Sequence, residues 1–134
     1  MTQARSQLVS ADTPGTYHCV QRCVRRAFLC GVDRYSGQDF EHRKAWVEQR
    51  LALVAGCFAA AVHAYAVMSN HLHVVVHLDP GVPLTWTDSE VAERWVRLYP
   101  PRESCEAAHT TKIERLLANP GRLVVLRQRL GSSP

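Results

Sequence analysis

Residues 65–78 read YAVMSNHLHVVVHL, and the way this stretch folds decides everything around it. A polar Ser69-Asn70 break separates two apolar, β-rich runs, 62–68 and 71–78. That is the pattern of a hairpin with a two-residue turn. In a strand, residues i and i+2 point to the same face. His71 and His73 therefore converge on one side, and Leu72 points to the other. Burying an imidazole without a partner costs about 1–3 kcal/mol. A metal ion held between the two rings removes that cost, and so the pair reads either as half of a metal site or as two structural histidines. His77 shares the face but lies about 13 Å from His73 by strand rise, too far for a third ligand. His63 falls on the partner strand and reads as structural.

Working outward, TYHCVQRCV at 16–24 follows a Pro-Gly turn signal and is rich in β-formers, which predicts a first strand. RRAFLCGVDRYSGQD at 25–39 is a connecting loop. From Phe40 the period changes. Phe40, Val47, Leu51, Val54 and Phe58 form one face of a long amphipathic helix over 40–61, with Asp39 as its expected N-cap. These five side chains are expected to be among the most buried. Asp79-Pro80-Gly81 ends the histidine strand. Thr87 and Glu90 form a capping box ahead of Val91, Trp95 and Leu98, and Pro100-Pro101 stops that helix. A further helix is expected over 103–118, closed by Asn119-Pro120-Gly121. The spacing of Leu123, Leu126 and Leu130 favours another over 122–130.

This order of elements predicts an α+β fold. Its plan is a ferredoxin-like split βαβ arrangement, with an antiparallel sheet and additional C-terminal helices. The histidine strand lies at the centre of the sheet. One domain spans 1–134, with 1–14 as a flexible lead-in and 79–134 helical.

Composition narrows the partners. No run approaches the roughly 18 uncharged apolar residues of a membrane span, and the N-terminus has no apolar signal-peptide core. A cytoplasmic location is the expectation. The five cysteines, at 19, 23, 30, 57 and 105, have irregular spacing and read as reduced thiols, mostly small core residues. The net charge is +4, and fourteen arginines stand against two lysines. The planar guanidinium fork suits phosphate and stacks on bases, so this bias points to a polyanion partner.

With those residues in view, AYAVMSNHLHVVV resembles the signature of the HUH endonucleases, in which two histidines flank one bulky hydrophobic residue. More narrowly, the order of YHCVQRCVRRAFLC, a long helix and then this phrase resembles the single-tyrosine transposases of bacterial insertion sequences, especially the REP-associated tyrosine transposases. The resemblance covers residues 16–78 well and 79–134 loosely. It implies a divalent cation, Mg²⁺ or Mn²⁺, on His71 and His73. It also implies phosphate and base contacts from Arg22, Arg25 and Arg26, and strand transfer through a 5′-phosphotyrosine. Single-stranded or hairpin DNA and a second copy of the chain are the expected partners.

The catalytic tyrosine is not identifiable. Tyr99 is the only tyrosine downstream of the histidines, and it precedes Pro100, which disfavours a helical backbone there. Gln128 is a possible third ligand without a tyrosine one turn away. The expectation is thus a transposase-like chain truncated before its tyrosine helix. The alternative is an inactive DNA-binding remnant. A barrel-type metal hydrolase needs about 200 residues or more, and a ferredoxin-like interaction domain would leave both histidines structural.

Overall fold

The computed structural model describes residues 9–10, 12–24 and 27–131. Three strands form the sheet: β1 (Gly15–Arg22), β2 (Ala60–Val67) and β3 (His71–Leu78). Their spatial order is β1-β3-β2, and β3 runs antiparallel to both neighbours. β1 and β2 therefore run parallel with β3 between them, linked through helix α1 (His42–Cys57), which is the split βαβ unit. A short 3₁₀ turn (Val82–Thr85) follows, then α2 (Asp88–Leu98), α3 (Glu106–Leu117) and α4 (Pro120–Gly131). The fold is α+β, as the pattern predicts. Among the described residues the sheet stops at three strands, and the chain after α2 continues as helices.

The hairpin closes at Ser69-Asn70, where the Met68 N–H donates to the His71 carbonyl at 2.8 Å. The loop after β1 is tied to this turn. The Cys23 N–H donates to the Asn70 carbonyl (2.8 Å), and the N–H groups of Leu29 and Cys30 both donate to that of Ser69. The Cys30 thiol, buried, lies 3.3 Å from the Met68 carbonyl. These bonds fix the end of β1 beside the start of β3.

The helical half holds the core. Leu123, Leu126 and Leu130 of α4 meet Val91, Ala92 and Leu98 of α2 and Cys57 at the end of α1, all buried. Burial of a leucine side chain contributes about 1.5–3 kcal/mol. Thr87 caps α2 through the expected box: its Oγ1 accepts from the Glu90 N–H (3.2 Å), and the Glu90 carboxylate accepts from the Thr87 N–H (2.7 Å). Arginines tie the elements together. Arg94 donates to the Gly56 carbonyl at 2.8 Å, satisfying the end of α1, and its guanidinium stacks over Trp86 at 4.1 Å. Arg127 donates to the carbonyls of Pro83 and Trp86 and pairs with Asp88 at 2.8 Å.

Four expectations are corrected. Phe40, Val47, Leu51, Val54 and Phe58 are half-buried, not the deepest residues. The reason is that α1 lies along β2 and α2, which leaves a groove of about 390 Å³ between Leu51, Ala52 and Ala55 on one wall and Val62 to Tyr65 on the other. The helix begins at His42, not at Phe40. Asp39 is held in a β-bridge to Val32, and its carboxylate accepts from the Glu41 N–H at 2.8 Å in a local turn, not as a cap. The helix also ends at Cys57, because Phe58 is extended and pairing with β3 claims residues from Ala60 onward. Finally, the thiols are all free, but Cys19 and Cys105 are exposed and only Cys30 and Cys57 are buried. Asn119-Pro120-Gly121 does close α3, and the same residues start α4: Pro120 sits at its first position, and the Asn119 side chain accepts from the Arg122 N–H at 3.0 Å. Residues 1–8 and 11 of the expected lead-in lie outside the described residues.

Truncating the core of α4 should therefore cost far more than truncating the face of α1. Leu126→Ala is expected to lose about 2–5 kcal/mol in urea unfolding, with Leu51→Ala losing clearly less. The reverse ranking would return the core to the underside of α1.

Candidate functional site

β3 alternates: Leu72, Val74, Val76 and Leu78 point to one face, and His71, His73, Val75 and His77 to the other. The ladder with β1 sets Arg22 opposite His71, Val20 opposite His73, His18 opposite Val75 and Thr16 opposite His77. Paired residues share a face, so four of the chain's seven histidines project from one side. On the β2 side this face carries Ala64 and Ala66, which leave it open. His63 is the extra residue of a β-bulge between Val62 and Ala64. Its ring comes within 5.9 Å of that of His77.

The His71 and His73 rings meet edge-on, with centroids 4.8 Å apart. Each uses its Nδ1 for a contact within the protein. His71 Nδ1 lies 2.6 Å from Asn70 Oδ1, and His73 Nδ1 lies 2.9 Å from His18 Nε2. The two Nε2 atoms carry none of these contacts, so they are the nitrogens available for an added ligand. His77 is engaged separately, through Thr16 Oγ1 at 3.0 Å. Among the described residues no group of three or more His, Cys, Asp or Glu side chains is arranged to hold a metal ion. The pair supplies two nitrogen ligands at most, so any cation held there would need its remaining positions filled by oxygen from water or phosphate.

His18 is the residue that sequence reasoning missed. Its signal was available: once β1 pairs antiparallel with β3, the even positions of β1 share the histidine face. Without the register, position 18 looks like any other histidine. Of the three predicted arginines, Arg22 ends β1 on the histidine face, exposed. Arg25 and Arg26 lie outside the described residues. Gln128 is an exposed residue of α4, whose chief packing partners are α2, α3 and the 3₁₀ turn. Tyr99 stands at the C-terminal cap of α2 with φ −127° and ψ 75°, outside the helical region that a following proline disfavours. Its ring rests on Trp95 at 4.6 Å. Among the described residues, ring contacts to the His71 and His73 pair come from each other and from His18.

Comparison of the chain with protein-family models, with curated proteins and with solved structures finds no match in any of the three. Among the described residues no helix is long and apolar enough to cross a membrane.

Partial burial among its neighbours, then the charges of His71, His18 and Arg22, hold the His73 imidazole below the ordinary histidine range. The folded chain thus prefers neutral His73, the form a cation binds. Because the folded value is depressed, this contribution is fully present above about pH 6.5 and is lost as pH falls from there through the folded value. In an NMR titration His73 should give a midpoint below 6.5. A midpoint at or above that value would contradict the environment described.

Proposed function

We propose that this chain is a transposase domain of the HUH single-tyrosine type, which binds single-stranded or hairpin DNA across the histidine face. The observation that carries the reading is the set formed by His71, His73 and Arg22. The two imidazoles flank Leu72 on one face of the central strand of a split βαβ sheet, make their protein contacts through Nδ1, and have an exposed arginine opposite His71.

In this reading His71 and His73 hold Mg²⁺ or Mn²⁺, and Arg22 takes a neighbouring phosphate. A divalent cation there supplies Lewis-acid polarisation of a phosphate oxygen. The guanidinium orients the strand by a charge-assisted contact. Small Ala64 and Ala66 on the β2 side let a nucleotide backbone approach the sheet closely. Other arginines are engaged in the fold itself, since Arg43 stacks over Phe40 and donates to the Phe28 carbonyl. Fewer guanidinium forks are therefore left to clasp phosphate than composition suggests.

A second reading, DNA binding without strand cleavage, is favoured by Tyr99. Its ring is engaged with Trp95, and Lys112 holds its backbone carbonyl at 2.6 Å. A polarised phosphate without a positioned nucleophile gains little.

Affinity for a labelled hairpin should fall steeply with salt, because binding releases counterions. Arg22→Ala should weaken binding several-fold and flatten the logarithmic salt slope by about one. Binding that ignores both salt and Arg22 would sink the DNA reading. With Mn²⁺ present, no covalent protein–DNA band is expected. A band that disappears in Tyr99→Phe would make Tyr99 the nucleophile and favour the full transposase over the binding remnant.

A further inference from the structure

The histidine face contains a third imidazole that is turned away from a ligand's role. His18 Nε2 sits 2.9 Å from His73 Nδ1, while the ring centres are 5.0 Å apart and the planes differ by 22°. Rings stacked face to face cannot approach closer than about 3.5 Å, the contact distance of their carbons. A separation of 2.9 Å between nitrogens of nearly parallel rings therefore lies along the ring plane. This is a hydrogen bond between edges. One of the two nitrogens carries the proton and the other accepts it.

Asn70 makes the matching contact on His71. Its Oδ1 is an acceptor only, so at 2.6 Å it requires the proton on His71 Nδ1. A neutral imidazole has one N–H, so the lone pair of His71 is then at Nε2. If His73 likewise donates from Nδ1 to His18 Nε2, its own lone pair is also at Nε2. The reverse direction, His18 donating, would put a proton on His73 Nε2 and close that nitrogen to a ligand.

We propose that His18 and Asn70 are positioning residues: they hold His73 and His71 in the Nδ1–H tautomer, so that both Nε2 lone pairs face the open side of the sheet. The proposal rests on the reading of His71 and His73 as a divalent-cation site and adds the residues that prepare it. Partners of this kind fix both tautomer and ring direction, and losing one typically costs 10–100-fold in metal affinity. Both come from outside the histidine strand. Asn70 comes from the hairpin turn and His18 from the neighbouring strand, so each ring is oriented by a different element.

The test has two parts. Long-range ¹H–¹⁵N spectra of the metal-free chain, at a pH where histidines are neutral, should show His71 and His73 protonated on Nδ1. Mn²⁺ binding followed by electron paramagnetic resonance should then weaken 10–100-fold in His18→Phe and in Asn70→Ala. Asn70→Asp, which keeps an acceptor oxygen, should remain near wild type. Circular dichroism of each variant checks that the sheet is retained, and Asn70→Asp serves as the folded control. Protons found on Nε2 of both rings would overturn the proposal. So would a wild-type chain that binds Mn²⁺ while both variants bind it equally well, and in that case the cation site itself would stand. A wild-type chain with no Mn²⁺ affinity would remove the cation site and the proposal together.

Discussion

The ladder that pairs β3 on both of its edges governs the rest of the molecule. A strand with two partners cannot slip by one residue without turning every side chain to the opposite face. Eight consecutive residues of β3 are paired with β1, and the β2 ladder adds a second constraint from the other side. Leu72, Val74, Val76 and Leu78 are apolar and the intervening positions carry three histidines, so only one register satisfies both faces. The direction of His71 and His73 follows from this pairing. So do the proximity of His18 and the placement of Arg22.

The sequence was most legible where local chemistry sufficed. The Thr87–Glu90 box needs only its own backbone to form, and the Ser69-Asn70 turn separates two runs of the same period. The leucine spacing in 122–130 marks a helix whatever surrounds it. Boundaries failed where distant pairing decided them. Nothing in HRKAWVEQRLALVAGCFAAAV distinguishes the last helical turn from the start of β2, and the β3 ladder makes that choice. The depth of the core also escaped. Half-burial of Val47 and Leu51 depends on α1 resting beside β2, and an amphipathic pattern reports the inner face of a helix without saying how much lies beneath it.

The candidate site divides in the same way. His71 and His73 announce themselves by spacing, because two residues apart on a strand is already a geometric statement. His18 is fifty-five positions away from its partner and carries no such mark. The arginines teach the converse lesson. Arg43, Arg94 and Arg127 contribute to a basic composition, yet each guanidinium is engaged with carbonyls of the chain itself. Composition counts charges and cannot tell a staple from a free contact.

The sheet that carries the histidines is thin. Within its three strands only Val74 and Leu78 are buried, whereas α2 and α4 supply most of the apolar core. Free energies of local opening follow buried apolar contact, so the two halves constitute cooperative units of unequal strength. Amide protons of β1 should exchange with solvent through small excursions that leave the helices intact, while those around Leu126 wait for the whole chain to open. A strand or ligand laid across the histidine face would add the missing layer and slow that exchange. The molecule thus keeps its more thinly packed half where an occupant would have the most to stabilise.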